Sequence, residues 1–503
     1  MASNDDRDDH LRNAGALALA RIGDAAPLVA LADHASRALR IAAVVALRRL
    51  QDPGVARFLD DSDEWVVTEA ARAINDDFSI EAALPALARL LSRTPFDNEA
   101  LIRRVINANL RVGQPENLNI LTAYATRRDA PAALRAEAIA ALGVWPRPSV
   151  LDRVTGRYRG PVERSAAPAR AALSNVIGAL LRDDSTNVQT AAAATAGRLR
   201  VEKAAPLLLE LVQRAPAAEV RRAALAGLHR MGDSRIEAAV EAALRDPEQS
   251  VRSSALAQLP SLALPAKRSV ALFASMLDAG TLEERQTAVA ALRNLPAAAT
   301  TPVLDSLLDA LLAGRLDPAL QLDLIETVEK LDQPVLQQKL DAFRAAAPSG
   351  DLLARYRSCL EGGDMENGRR IFAGNETAQC VRCHALGDWG GNVGPPLGDI
   401  GARLSREDLL LALVDPSDRI APGYGFVTLT LNSGERLSGI LAAETEEALT
   451  LELDQGEKRT IPRADIAARQ DAPSSMPAMG ELLSRRQLRD LVAFLAAMKG
   501  EAS

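Results

Sequence analysis

The sequence predicts a mainly α fold, a long solenoid of short helical repeats over residues 1–345 followed by a smaller helical domain over 346–503 that carries a short antiparallel β insertion at about 424–469. Three observations lead there. Alanine-rich segments recur through the first part, most of them about 31 to 36 residues apart, the spacing of stacked helical repeats. Apolar and polar residues alternate with period two in the insertion, with glycine-containing turns between the runs. Aromatic residues make up only 3% of the chain, so the long first part has to be cored by alanine and aliphatic side chains in a shallow seam.

The repeating segments are 39–47, 66–74, 102–110, 134–142, 188–196, 220–228, 251–259, 284–292 and 320–328. Many open on an aliphatic residue followed by arginine, as in Leu39-Arg40, Leu134-Arg135 and Val220-Arg221. Acidic or proline turns precede several of them, as in Asp246-Pro247-Glu248, and a second, leucine-rich helix such as 205–213 completes the unit. The longer interval from 134 to 188 contains Trp145-Pro146-Arg147-Pro148 and marks an irregular unit. This pattern resembles bacterial HEAT-like repeats. It lacks the sequence signatures of tetratricopeptide and ankyrin repeats. His10, His34 and His229 are isolated here and read as surface or seam residues, and arginine pairs such as Arg221-Arg222 read as solvated faces.

The most informative stretch is Cys380-Val381-Arg382-Cys383-His384. C-x-x-C-H is the spacing at which two thiols can form thioethers to one haem while the adjacent imidazole ligates its iron. Cys359 makes a zinc set of three cysteines and one histidine conceivable. Adjacent Cys383 and His384 project apart, however, and zinc needs four convergent ligands. Cys359 sits among Leu352, Leu353, Tyr356 and Leu360 and reads as a small buried hydrophobe.

Around the motif, Gly368-Arg369-Arg370-Ile371-Phe372 opens a short helix, Gly394-Pro395-Pro396-Leu397 forms a loop, and Asp490 to Leu495 reads as a final amphipathic helix. In this order the pieces resemble a class I cytochrome c. The resemblance implies that Gly368 and Phe372 meet Leu491 and Phe494 where the first and last helices cross. It also implies that the carbonyl of Pro395 accepts the proton of the His384 imidazole, which orients the ring and increases its basicity towards iron.

Between Gly362 and Ser503 the one histidine is His384, so the sixth iron ligand has to be another side chain. Met365 precedes the first helix and Met498 lies near the end of the last, which leaves Met476 and Met479 in the loop before it. Met476, in the pair Met476-Pro477, matches the family's axial methionine, with Met479 as the alternative. The expected site is therefore Cys380, Cys383, His384, Pro395 and Met476, with His384 and Met476 on the iron of a single haem c.

The β insertion is not a general cytochrome feature. With Asp415-Pro416-Ser417, Ala421-Pro422-Gly423-Tyr424 and Met476-Pro477 in order, this part of the chain resembles the haem-binding C-terminal domain of large secreted proteins of planctomycetes and related bacteria. In that family a sugar-dehydrogenase-like β-propeller often precedes the repeats and the cytochrome. The resemblance makes this chain the electron-transfer portion of a dehydrogenase and not its catalytic domain.

From Glu361 onwards 22 Asp and Glu face 15 Lys and Arg, so the whole net charge of −7 belongs to the last part of the chain, and nucleic-acid binding is not expected. No run approaches the roughly 18 apolar residues of a membrane span. The start, Met1 to Asp9, is acidic and carries no hydrophobic leader. Covalent haem attachment takes place after export, so the expectation is a periplasmic protein whose leader lies upstream or has been removed.

The expected function is relay of single electrons from a dehydrogenase to a downstream cytochrome or oxidase, with the solenoid as docking or spacer surface. Two alternatives belong to other classes. One is an interaction scaffold with a structural haem, and the other a haem enzyme or sensor with a displaceable methionine.

Overall fold

In a computed structural model, described over residues 7–262, 264–348 and 350–500, the chain divides into two compact units, Met1–Ala263 and Leu264–Ser503. Residues 1–6, most of the acidic start discussed above, and Ser349, just past the expected 345/346 junction, lie outside the described residues. The described residues are mainly helical, with one five-stranded antiparallel sheet and one two-stranded hairpin.

In the first unit the recurring segments fall in the helices Arg37–Leu50, Glu64–Asn75, Glu99–Val112, Ala132–Val144, Thr186–Leu199, Ala218–Met231 and Gln249–Gln258, the last segment finishing in a 3-10 turn. Each of these helices packs on the next in series, which is the expected solenoid arrangement. Small residues let them approach closely. A Cβ placed on Gly197 would stand 2.6 Å from the Cα of Gly227, and Ala192, Ala193, Ala196 and Ala224 beside them are fully buried.

The arginine after the aliphatic residue ties one repeat to the next. Arg40 Nε donates to Asp61 at 2.6 Å, Arg135 pairs with Asp183, and Arg221 grips Asp246 with bonds of 2.6 and 2.7 Å. In each case the aspartate lies in the turn before the following helix of the series. This corrects the reading of Arg221 as a solvated residue. It is buried, its guanidinium held by Asp246 and by the carbonyls of Ala215 and Pro216, while Arg222 is exposed. A planar guanidinium can satisfy several acceptors at once, so burial in the seam leaves its charge paired.

The irregular unit is a loop ahead of the helix Ala166–Leu181. Trp145 is buried under Arg164, whose guanidinium lies 4.9 Å from the indole centroid. Further on, the Leu151↔Tyr158 bridge closes a turn around Asp152. That carboxylate is buried and accepts from the backbone N–H of Val154 and Thr155, both at 2.9 Å, from Asn107 at 3.0 Å and from Arg159 at 3.2 Å.

The second unit opens with the remaining repeat helices, Ala266–Ala279, Leu282–Leu292, Ala297–Leu312, Pro318–Leu331 and Pro334–Ala345. The expected junction at 345/346 thus lies inside this unit. Leu322 of the Pro318–Leu331 helix belongs to the same buried cluster as Phe372, Leu410, Leu491 and Phe494. Gly362, at φ 81°, lets the chain pass under that helix, and Gln286 donates to the carbonyls of both Ala319 and Gly362.

The helix Met365–Gly374 crosses the last helix, Arg485–Ala497, with Gly368 against Asp490 and Phe494, and with the rings of Phe372 and Phe494 5.7 Å apart. The last helix is longer than the 490–495 read from sequence, and Leu488 through Leu495 are all buried, Arg489 and Asp490 included. Several elements enclose it, among them the helices Ile400–Arg403 and Arg406–Val414, so its burial is not confined to one apolar face.

Strands β1 (Ala385–Leu386) and β2 (Trp389–Gly390) form a small hairpin after the C-x-x-C-H segment. The insertion has five strands, β3 (Phe426–Leu431), β4 (Arg436–Glu444), β5 (Ala448–Glu452), β6 (Lys458–Pro462) and β7 (Ile466–Asp471), in the order β6-β5-β4-β3-β7. The alternating residues Val427, Leu429, Leu437, Leu449, Leu451 and Ile461 form a separate core on one face. The sequence reading ends at 469 and misses β7, which returns to the free edge of β3. Its residues after Ile466 are all exposed, so it carries no period-two pattern to read.

Candidate functional site

One cavity of about 370 Å³ in the second unit is lined by Cys380, Cys383, His384, Pro395 and Met476 together. Its walls are mostly apolar, from Phe372, Leu397, Ile400, Leu413, Leu491 and Leu495. The volume lies in the range of cofactor and ligand sites.

Gln379 takes a left-handed conformation at φ 46° and starts the 3-10 turn Cys380–Arg382. The N–H groups of Cys383 and His384 both donate to the Cys380 carbonyl, at 3.2 and 3.0 Å, so the two thiols and the imidazole follow one another around a single turn. Cys380 is half-buried, and burial pushes its thiol pKa up; Cys383 is exposed. No disulfide joins any two of the three cysteines.

The imidazole is fixed from below. His384 Nδ1 lies 2.8 Å from the carbonyl oxygen of Pro395. A carbonyl can only accept, so Nδ1 donates in this bond and Nε2 is the ring nitrogen left to act as a ligand. Gly394 packs flat on the ring: a Cβ there would stand 2.6 Å from Cε1 and 2.9 Å from Nδ1 of His384. The loop is pinned in turn by the Gly394 N–H on the Cys383 carbonyl at 2.7 Å and the Leu397 N–H on the Ala385 carbonyl at 2.9 Å.

Two thioethers line the cavity. Met476 is half-buried in an irregular segment, its N–H donating to Ser474 Oγ at 3.1 Å, while the Ser474 N–H donates to Ser417 Oγ at 3.1 Å. Met479 is 3% exposed and starts the one-turn helix Met479–Leu482. Met365 is exposed, and neither it nor Met498 lines the cavity. Cys359 is fully buried away from the cavity lining, and burial raises its thiol pKa to about 12. Among the described residues no group of three or more His, Cys, Asp or Glu side chains is arranged to hold a metal ion.

Sequence reasoning missed two lining residues, Arg403 and Arg419. Arg403 donates to the Asp399 carboxylate at 3.0 Å and to the Pro396 carbonyl at 2.9 Å, and Arg419 is 3.6 Å from Asp408. Among the described residues no carboxylate lines the cavity, so its fixed charges are cationic. Isolated arginines in a charged segment carry no motif. Ala421, Pro422 and Tyr424 also line it, which gives the A-P-G-Y run a structural role as cavity wall.

No protein-family model matches the chain, and no curated protein matches it. Among solved structures it is similar to human deoxyhypusine hydroxylase in complex with glycerol, at 20% identity over 49% of this chain and 96% of that one, TM-score 0.21. It is also similar to Kap121p bound to Pho4p, at 13% identity over 70% of this chain and 46% of that one, TM-score 0.38. A mutant of Kap121p matches at 13% identity over 86% of this chain and 47% of that one, TM-score 0.41. The chain therefore spans less than half the length of Kap121p in both matches. Identities and TM-scores this low transfer no function.

Proposed function

We propose that the C-terminal part of the chain is an electron carrier holding one covalent haem c. The observation that carries the reading is the convergence of Cys380, Cys383, His384, Pro395 and Met476, spread over nearly a hundred residues of sequence, on one apolar cavity. Cys380 and Cys383 would hold the group by thioether bonds, His384 Nε2 and Met476 Sδ would ligate its iron, and Arg403 and Arg419 would be the cations available to its carboxylates. Bound haem c supplies a one-electron ferric/ferrous couple.

The residues of this chain set the conditions for that couple. The Pro395 carbonyl holds His384 in one tautomer and makes its free nitrogen a better donor. A thioether ligand from Met476 would favour the ferrous form and with it a comparatively high potential. The apolar walls from Phe372, Leu413 and Leu491 would limit water and lower the polarity around a bound iron. The donor on this reading is a dehydrogenase and the acceptor a cytochrome or oxidase, in an extracytoplasmic compartment, with the helical repeats as docking or spacer surface. Among the described residues no helix is long and apolar enough to cross a membrane.

The test is expression of the chain in a strain with a working c-type maturation system. The expected result is a thioether-type haem spectrum that survives acidified organic solvent, with haem becoming extractable when Cys380 and Cys383 are both changed to alanine. Reversible one-electron titration supports the carrier, whereas ready carbon monoxide binding supports an enzyme or sensor. A matured, unmutated chain without a thioether spectrum overturns the proposal.

A further inference from the structure

The two faces of the cavity are anchored differently. His384 is held by bonds within its own neighbourhood, to the Pro395 carbonyl and through Gly394 to Cys383. The methionine side leads directly into the last helix, and that helix is bolted to a repeat helix by charge. Asp323 of the Pro318–Leu331 helix is fully buried and meets two arginines, Arg489 at 2.8 Å and Arg486 at 2.7 Å. One turn further along, Glu326 takes the Nε of Arg486 at 2.6 Å and Glu329 pairs with Arg485.

These three acids stand at i, i+3 and i+6, on one face of the repeat helix. The three arginines lie in the first two turns of the last helix, immediately after the Met479–Leu482 turn. Arg485 is three residues beyond Leu482, so little slack separates the ion cluster from the thioethers. Tyr356, from the segment that links the repeat to the haem-motif region, adds a hydroxyl bond to the Gly480 carbonyl at 3.4 Å. At the other end the Ser474 N–H donates to Ser417 Oγ at 3.1 Å, and the Ala472 N–H donates to the Phe426 carbonyl at 2.9 Å.

We propose that the last helical repeat positions the sulfur face of the cavity. Asp323, with Glu326 and Glu329, holds Arg485, Arg486 and Arg489, and through them sets where Met476 and Met479 stand, while the His384 face is left to its own bonds. The proposal rests on the haem reading for its consequence but not for its geometry. It gives the solenoid a role beyond spacing. With haem bound, a partner that shifts this repeat would move Met476 and leave His384 in place, and by linkage thioether ligation would in turn favour or oppose binding to the repeat.

The test uses the full chain with Asp323→Asn, Glu329→Gln and, as a control, Lys339→Gln, which removes a surface cation from Asp305 and Asp309 in the neighbouring repeat helices. Amide hydrogen exchange is read first, on chain without haem. Exchange across 476–497 is expected to rise at least tenfold in Asp323→Asn and at least threefold in Glu329→Gln, with 380–397 and the control unchanged. On matured chain, the sulfur-to-iron band of the ferric spectrum should fall by half or more in Asp323→Asn while the thioether-type spectrum stays intact. Unchanged exchange in 476–497, or an equal rise in 380–397, overturns the proposal. If Asp323→Asn does not fold, Glu329→Gln decides by the same criteria. If the unmutated chain takes up no haem, the electron-carrier reading fails, and the exchange arm still decides the positioning claim.

Discussion

Gly368 lies so close to the backbone carbonyl of Asp490 that a β-carbon at this position would overlap the carbonyl, and it would stand 2.7 Å from the β-carbon of Phe494. The obstacle is helix backbone, which cannot rotate aside. Gly368→Ala is therefore expected to part the two helices and cost about 3 kcal/mol, the upper end for overpacking. Gly374, in the same helix, has nothing within 4 Å of its would-be β-carbon, so Gly374→Ala should change stability by less than about 1 kcal/mol. Denaturant midpoints of the two variants check the contrast, and equal midpoints would refute it.

Gly394→Ala tests the floor beneath the imidazole. Its new methyl would stand 2.6 Å from Cε1 of His384, so the ring has to tilt and the 2.8 Å bond to the Pro395 carbonyl should lengthen. Nitrogen NMR of His384 in chain without haem should show loss of the single Nδ1–H tautomer. A spectrum like that of the unmutated chain would mean that the loop yields instead.

Met476 and Met479 should separate by stability as well as by spectrum. Met479 is 3% exposed within the main core of the second unit, so Met479→Ala should cost about 2–4 kcal/mol. Met476 is half-buried, and Met476→Ala should cost about 1 kcal/mol while abolishing the ferric sulfur-to-iron band. Loss of the band in Met479→Ala, with Met476→Ala silent, would reassign the ligand.

Asp246→Ala would leave the Arg221 guanidinium buried with the carbonyls of Ala215 and Pro216 as its remaining hydrogen-bond partners among the described residues. Breaking a buried pair from one side costs about 3–5 kcal/mol, and Asp246→Ala combined with Arg221→Met should recover part of it. Calorimetry of the single and double variants measures this. Additive losses would show that the two residues act independently.

Asp152 predicts a pH dependence. Burial by itself would raise its carboxyl pKa, but the backbone N–H groups of Thr155 and Val154, with Asn107 and Arg159, outweigh burial and hold it below the usual range. A depressed folded pKa contributes stability that is complete above the unfolded value of about 3.9 and is lost as pH falls through the folded value. The stability gap between the unmutated chain and Asp152→Asn should be constant from about pH 7 to 5 and close below about pH 4. A gap that widens on acidification would contradict the sign.

The sequence by itself determined what depends on short spacing. Helical periodicity and alanine content located the repeat helices, because a helix face is written in neighbouring residues. Cys380, Cys383 and His384 could be named together because their relation is carried by one turn, while Pro395 and Met476 rested on the resemblance to class I cytochrome c. Alternation located β3 to β6, each of which has one buried face. Tertiary structure alone decided what depends on partners far along the chain. Arg221 is buried because Asp246 waits in the next repeat, and nothing around Arg221 announces that pairing. Strand β7 exists because β3 had an unpaired edge, and backbone bonds to an edge need no side-chain pattern. Arg403 and Arg419 face the cavity only once the chain has wrapped around it. The last repeat shares a core and the buried Asp323–Arg489 pair with the C-terminal part, an interaction across 166 residues that no local window could contain.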